Sequence, residues 1–580
     1  MVTSRPMAWI AALAVLCALI VAGCSGGSGS DPDPAAGSDP GQETSAPPAE
    51  GTALPQAVPY PVGFDPLVTA RTKVTIANAE AVIPSQCYTK TDGISNPCYA
   101  CHTDVNARNQ MDDDDLQREY AFSDFGLENH WKNLFEDRSA AIAAIGDEEA
   151  LAYIRQDNYK ALRENLAERE DYAGWVPEIE NLAAGREIAF DAEGFARDGS
   201  WWRAFRYKPF LGTFWPTNGS TDDVIIRLAP EFYHDGAGNT SREIYKLNLA
   251  IVEAALASSD RVSNGALNRR VEPVDESLIN VDLDGSGTID SRITRIQVLP
   301  AYYAGAASHV AVQRFIYPAG TEFLHTVRYV DPDAEDLLSA RMKEVRYARR
   351  ELPLSLDKMT RTYLDELRNK EEGNLPVYPG SGTVGLVNDF GWRYQGFIES
   401  ADGHLRAQTE EETLFCMGCH STIGVTADQS FAFPRKVPGS SGWGHQTVAG
   451  IQDVPQTGQD TPEILQYFQR VRGADEFRAN DEAIARFFND DGSVKEALVR
   501  QAAPGGDEDI GFLIAPSRER AIELTKAYMA LVADQDFELG RDPVPEPTTR
   551  VFEFIEGNGT TALGAAGLVF TDGRIWLDWE

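Results

Sequence analysis

Helical periodicity dominates both ends of the folded part of the chain. Apolar residues recur at helical spacing around 131–135 and from 150 to about 170. An acidic run at 112–115 precedes them and suits the start of a helix, where negative charge is favourable. Three more helical stretches are predicted between 462 and 533. These two regions are therefore expected to be mainly helical.

The middle of the chain has a different pattern. From Trp201 onward, β-branched, aromatic and turn residues become frequent, and strands are predicted at 224–228 and 310–317. One helix is predicted at 247–256 and a long one at 334–371. The resulting fold class is α+β, with helical regions on either side of a strand-rich central region.

Two five-residue strings carry the clearest chemistry. They are Cys98-Tyr99-Ala100-Cys101-His102 and Cys416-Met417-Gly418-Cys419-His420, both of the form C-x-x-C-H. Two thiols three positions apart can bind both vinyl groups of one haem, and the following His supplies the proximal iron ligand. Zinc binding or a thioredoxin-like redox pair is the alternative use of C-x-x-C, but neither requires this His. We predict two covalently bound c-type haems, held by Cys98, Cys101, His102, Cys416, Cys419 and His420.

The N-terminus has the pattern of an export signal. Arg5 precedes an apolar run over residues 7–20, which ends in Val21-Ala22-Gly23-Cys24. This ending resembles the bacterial lipoprotein signal. The resemblance implies cleavage before Cys24, lipid attachment to that thiol and, with Ser25 next, sorting to the outer membrane. An ordinary secretory signal or a retained anchor helix is the alternative.

Composition divides the rest of the chain into regions. Residues 24–57 are rich in Gly, Ser, Pro, Asp and Ala and predict a flexible tether, because they contain too few large apolar residues for a packed core. The predicted regions are a signal peptide at 1–23, the tether at 24–57, a first c-haem region at 58–200, a central α+β region at 201–380, a second c-haem region at 381–540 and a C-terminal extension at 541–580.

The sixth ligand of each iron decides whether a haem carries electrons or binds a substrate. Three histidines are candidate distal ligands. His325 lies in the strand pattern 323–329, on one face with apolar residues. His445 lies in a loop shortly after the second C-x-x-C-H string, and His130 lies on a helical face beside Leu134. The alternative for each is an ordinary hydrogen-bonded histidine.

A segment of the central region is similar to an EF-hand calcium loop. Asp282, Asp284, Ser286, Thr288 and Asp290 offer oxygens at alternate positions, and Gly287 allows the sharp turn. The twelfth position carries Ile293 instead of the usual bidentate Glu, so that Asp275, Glu276 or a distant carboxylate would have to substitute. A simple hairpin turn at Asp284-Gly285 is the alternative.

The charge balance restricts the partners. The chain has 89 acidic and 52 basic residues, a formal net charge of -37 at pH 7. Nucleic acid and anionic lipid surfaces are disfavoured as partners by this sign. An acidic surface would speed encounter with basic redox proteins. Adaptation to salt, or solubility, explains the acidity equally well.

The C-x-x-C-H strings, together with the segment 213–220, resemble bacterial di-haem c-type cytochrome lipoproteins of the multidomain cytochrome c family. This resemblance implies an electron carrier, more than a catalyst, between periplasmic and outer-membrane or extracellular redox partners. Two c-haems with calcium also resemble, more weakly, the di-haem cytochrome c peroxidases and MauG-like proteins, which implies one substrate-binding haem. A third hypothesis is that the chain is a haem-containing binding or sensor lipoprotein.

Overall fold

The computed structural model describes residues 54–104, 112–257, 267–352, 354–421, 423–473, 480–556, 559–572 and 575–579. The predicted signal peptide, Cys24 and nearly all of the predicted tether lie outside these residues. The described residues fall within one unit, Pro47–Glu580.

An antiparallel sheet of eight strands forms the centre of this unit, in the order β1-β2-β5-β6-β9-β8-β7 with β10 also paired to β9. A separate antiparallel pair is formed by β3 and β4. The strands are β1 (Arg203–Phe205), β2 (Thr221–Arg227), β3 (Arg269–Val274), β4 (Ile293–Ile296), β5 (Glu322–Val330), β6 (Leu338–Arg350), β7 (Gly380–Ser381), β8 (Gly385–Val387), β9 (Trp392–Glu399) and β10 (Leu405–Ala407).

The helices surround this sheet. They are α1 (Val68–Thr72), α2 (Ser139–Ala144), α3 (Asp147–Ile154), α4 (Tyr159–Ala167), α5 (Arg186–Ala189), α6 (Arg242–Leu256), α7 (Leu356–Glu371), α8 (Glu410–Cys419), α9 (Glu463–Val471), α10 (Asp481–Phe487), α11 (Glu496–Val499), α12 (Gly511–Ile514) and α13 (Arg518–Asp534). The α+β class and the strand-rich centre are thus confirmed. Among the described residues no helix has the length and apolar character needed to cross a bilayer.

Both faces of the large sheet are covered by hydrophobic cores. Ile226, Phe323 and Tyr394 point into one core, and their strand neighbours Ile225 and Leu324 point into the other. Alternate residues of a strand point to opposite faces, which explains this division. We call the first of these surfaces the A face; it lies against the second C-x-x-C-H string.

Two predictions in the central region were wrong. The expected helix at 334–371 begins as strand β6 and becomes helical only in α7. The strand was hidden because β6 carries buried charges, such as Arg341, whose Nη1 donates to Glu399 at 2.8 Å. The expected strand at 310–317 consists of turns with one isolated bridge at Ala311, and the positive φ of Phe315 interrupts an extended conformation.

Candidate functional site

Helix α8 presents the second C-x-x-C-H string at its C-terminal end. The helix starts with a capping box, in which Thr409 Oγ1 accepts from Glu412 N at 3.1 Å and the Glu412 carboxylate accepts from Thr409 N at 2.7 Å. At the other end, His420 N donates to Cys416 O at 3.0 Å. Because residues three and four apart share one side of a helical turn, both thiols and the imidazole project to the same side.

The first string folds into the same local turn without belonging to an α-helix. Cys98–Ala100 is a short 3-10 helix, and His102 N donates to Cys98 O at 2.9 Å. Asn96 supports the start of this turn, since its Oδ1 accepts from Tyr99 N at 3.2 Å. In both segments, therefore, the backbone N–H of the histidine is bonded to the carbonyl oxygen of the first cysteine.

Both motif histidines are oriented through Nδ1. The His102 Nδ1 lies 3.3 Å from Asp113 Oδ2, and the His420 Nδ1 lies 2.8 Å from the carbonyl oxygen of Gln429. An ionised carboxylate and a carbonyl can only accept, so the hydrogen belongs to Nδ1 in each ring. In the described part of the chain no hydrogen bond involves Nε2 of either ring. Each Nε2 lone pair is thus available to a metal, as expected of a proximal iron ligand.

The two strings converge in space. The Glu411 carboxylate accepts from Ala77 N at 2.9 Å and from Asn78 N at 2.7 Å, which ties the segment after Asn78 to α8. This segment crosses Gly418 so closely that a Cβ there would lie 2.0 Å from Val82 O. The same segment leads through Cys87 to the first string.

The electrostatics of the cysteines reflect this convergence. The pKa of the Cys101 thiol is raised well above its usual range, first by burial and then by the nearby Cys419 and Cys87. Burial also raises the pKa of Cys98 to about 12 and that of Cys419 to about 11. The ionisation of Cys101 in the first string is therefore disfavoured by a thiol of the second string.

Asp113 joins the two strings directly. Besides its contact with His102, its Oδ1 accepts from Thr103 N at 2.7 Å and its Oδ2 accepts from Gly424 N at 2.9 Å. Gly424 lies shortly after the second string. Sequence reasoning missed this role, since the acidic run 112–115 resembled only a helix start; Asp114–Gln117 does form a short 3-10 helix. The signal available was a carboxylate close in sequence to a motif histidine.

The A face of the sheet completes the surroundings of His420. The ring of Tyr394 lies 4.8 Å from the His420 ring, and His325 and Arg346 are paired neighbours on the same face. Burial lowers the pKa of His420 to about 4; the hydrogen bond to the Gln429 carbonyl opposes this shift, and the nearby His325 and Arg346 add to it. The imidazole is therefore neutral near pH 7, the form that binds metals.

The three candidate distal histidines lie in different surroundings. His325 faces the second string, and its Nε2 donates to Asp222 Oδ2 at 2.9 Å. His445 is buried with its Nε2 3.7 Å from Asp223 Oδ2 and its ring against Phe190. His130 is stacked on Phe125 with ring centroids 4.1 Å apart, and its Nε2 donates to the Phe125 carbonyl. His325 thus lies on the sheet face that packs against the second string.

The cysteine geometry fits thioether attachment better than a zinc centre. Cys87 and the four motif cysteines are free thiols. A zinc or iron–sulfur centre would need several sulfur atoms gathered around one ion. Among the residues that the structure describes, no cysteine belongs to a group of three ligand atoms within 4.8 Å of one another. Paired thiols followed by an oriented imidazole are the donor set that a c-type haem requires.

The predicted calcium loop connects β3 to β4. Asp282 carboxylate oxygens accept from Ser286 N at 3.1 Å and from Gly287 N at 2.8 Å, and Thr288 Oγ1 donates to Asp290 Oδ2 at 3.0 Å. Ligand oxygens of Glu276, Asp284 and Asp290 lie within 4.8 Å of one another. The long connection between the strands is not a tight hairpin.

Glu276 explains how this loop differs from an EF-hand. Ile293, at the twelfth position, is buried in β4 as a core residue and offers no oxygen ligand. Glu276 is fully buried; its carboxylate accepts from Leu283 N at 2.6 Å and from Asp290 N at 2.8 Å. The Glu276 carboxylate, which precedes the loop in sequence, therefore takes the place of the carboxylate that an EF-hand has at its twelfth position.

Comparison with known proteins gives a lipoprotein family. A lipoprotein family model matches residues 71–505. An uncharacterized lipoprotein of Aquifex aeolicus strain VF5 is 34% identical over 519 residues, which cover 80% of this chain and 86% of that protein. No solved structure matches the chain.

These matches correct the family resemblance drawn from the C-x-x-C-H strings. The assignment to a multidomain cytochrome c family, and the weaker one to di-haem cytochrome c peroxidases and MauG-like proteins, were wrong, because both matches are to lipoproteins. The short strings suggested a family that the whole chain does not match.

Proposed function

We propose a function from this premise: the chain belongs to the lipoprotein family whose model it matches. Membership of that family implies attachment to a membrane through lipid. Cys24, at the end of the export signal, is the residue that we propose carries the lipid. An outer-membrane location is part of the proposal and follows from Ser25.

The chain is proposed to hold two c-type haems and to carry electrons between redox proteins. The observation that carries the proposal is the convergence of two C-x-x-C-H strings, each folded as one turn with its histidine oriented through Nδ1. Haem bound there would supply a reversible one-electron change at iron. Neighbouring attachment strings support electron exchange between the two sites within one chain.

Each part of the site has a separate task in this proposal. The thiols of Cys98, Cys101, Cys416 and Cys419 fix the two groups covalently. His102 and His420 present Nε2 atoms toward the site, and their Nδ1 partners hold the rings in place. The rings of Tyr394 and Phe431 lie against the His420 ring, with centroids 4.8 and 6.0 Å away.

His325 is the proposed sixth ligand at the second site. It lies on the A face opposite the second string, and Asp222 orients its ring. Ligation would use Nδ1, or Nε2 after a change of the Asp222 contact. Replacing His325 by alanine would then open one coordination position at the second iron and leave the first unchanged.

Low-temperature electron paramagnetic resonance of the matured, oxidised protein tests the carrier function. Two low-spin signals without a high-spin component are expected, because a carrier fills both axial positions. His325→Ala should convert one signal to high spin, and His130→Ala should change neither, because the His130 ring is stacked on Phe125 and bonded to its carbonyl. A high-spin signal in the unmodified protein would contradict the carrier proposal and favour a substrate-binding or sensor haem.

Calcium is proposed as a structural ion in the loop between β3 and β4. The buried Glu276 and the loop residues Asp284 and Asp290 support it. Isothermal titration with calcium chloride should show one site that Asp284→Asn removes. The matched control is Asp490→Asn, since Asp490 is exposed and lies outside the loop. Equal heats for Asp284→Asn and the unmodified protein would exclude this site.

A further inference from the structure

The two motif histidines differ in the groups that accept from their Nδ1 atoms. His102 faces the carboxylate of Asp113 at 3.3 Å, and His420 faces the backbone carbonyl of Gln429 at 2.8 Å. One acceptor carries a formal negative charge and the other is neutral. Asp113 is well positioned to keep this contact, because it is buried and is also held by Thr103 N and Gly424 N.

A carboxylate behind a ligating histidine makes the imidazole more basic and a stronger donor to the metal. A stronger donor stabilises the oxidised, more positive iron and lowers its reduction potential. The contact at His420 is shorter, but a carbonyl lacks the full charge that makes a charge-assisted hydrogen bond strong. The charge of Asp113 also acts over longer distances in a buried site.

The charged groups around the two strings also differ. Within the acidic run 112–115, Arg118 forms ion pairs with Asp114 and Asp115, which leaves the buried Asp113 as the carboxylate of the run that faces His102. Near the second string, Arg346 and Arg541 share the single carboxylate of Glu344, at 2.9 and 3.0 Å. This cluster leaves one net positive charge beside the second string, and positive charge there would stabilise the reduced form of an iron bound at that site.

We propose that Asp113 makes the first attachment site the lower-potential member of the pair, so that the chain favours electron movement from the first site to the second. Asp113 is a positioning residue that acts through His102. This inference rests on the proposed presence of two haems.

Redox titration of the full-length matured protein, followed by visible absorbance, tests the proposal. Two midpoint potentials are expected. Asp113→Asn should raise the lower midpoint potential and leave the higher one unchanged, so that the gap between the two potentials becomes smaller. Asp113→Glu, which keeps the charge, should restore most of the gap. The control is Asp115→Asn, which removes the same charge from a side chain that is 84% exposed, and its gap should stay close to that of the unmodified protein.

Variants with a single attachment site assign the potentials independently of any change at Asp113. Cys416→Ala/Cys419→Ala keeps the first site, and Cys98→Ala/Cys101→Ala keeps the second. The protein with only the first site should have the lower midpoint. A higher midpoint there, or an unchanged gap in Asp113→Asn, would overturn the inference. Haem content is measured first, because absence of haem from the unmodified protein refutes the proposed function and not the ordering of potentials.

Discussion

Replacing Gly418 by alanine tests the close packing between the two attachment segments. The new Cβ would lie 2.0 Å from Val82 O and 2.9 Å from Val82 C, whereas Cβ contacts below 3.0 Å essentially do not occur. The neighbour is backbone, and it cannot easily retreat, because Ala77 and Asn78 are tied to Glu411. We expect a shift of about 1 Å between the segments, with lost packing around it.

The magnitude follows from two opposing terms. Overpacking of a filled site costs about 1–3 kcal/mol, and a clash with backbone falls at the upper end. Alanine in place of glycine inside a helix contributes up to about 1 kcal/mol of stability. The net expectation for Gly418→Ala is a loss of about 2 kcal/mol in the free energy of unfolding.

Urea unfolding followed by far-UV circular dichroism measures this loss. Gly236→Ala is the matched control, because a Cβ at Gly236 meets nothing within 4 Å, and its stability should stay within about 0.5 kcal/mol of the unmodified protein. A Gly418→Ala protein as stable as the control would refute the described packing of Val82 on the second string.

Three further predictions concern buried charges. Glu463→Gln should cost about 3–5 kcal/mol in urea unfolding, because it leaves the buried cations of Arg435 and Lys208 without their shared carboxylate. Burial raises the pKa of Glu463, but Arg435 and Lys208 outweigh it and bring the pKa from 4.5 to about 2. The stabilisation from the ionised Glu463 is complete above pH 4.5 and is lost as the pH falls toward 2. Between pH 5 and 2 the free energy of unfolding of the unmodified protein should therefore fall by about 3 kcal/mol more than that of Glu463→Gln. Parallel curves of unfolding free energy against pH for the two proteins would contradict the pairing. Glu411→Gln should lower stability by about 1 kcal/mol through a weaker acceptor for two backbone amides, and an unchanged urea midpoint would argue against that anchor.

Local patterns predicted local structure well. The helix expected at 247–256 is α6, and the strand expected at 224–228 lies largely within β2. Each C-x-x-C-H string was recognisable because its chemistry depends on a spacing of five residues. The alternation around His325 correctly placed that residue on a face with Phe323 and Val327.

Long-range structure was harder to predict. Nothing in the spacing of the two strings indicates that they meet, because their contact depends on Glu411 holding the segment before Val82. The charged residues of β6 resembled a solvent-exposed helix, since pairings such as that of Arg341 with Glu399 form only in the folded chain. The role of Asp113 was missed for the same reason, because its partner Gly424 lies far away in sequence.

The haem content of the matured full-length protein decides whether the two C-x-x-C-H strings attach haem. Expression with a c-type haem attachment system, followed by intact mass and a pyridine haemochrome spectrum, should show two covalently bound haems per chain. Cys98→Ala/Cys101→Ala and Cys416→Ala/Cys419→Ala should each retain one. A chain without covalent haem, or one whose haem content is unaffected by these substitutions, would show that the strings do not hold haem.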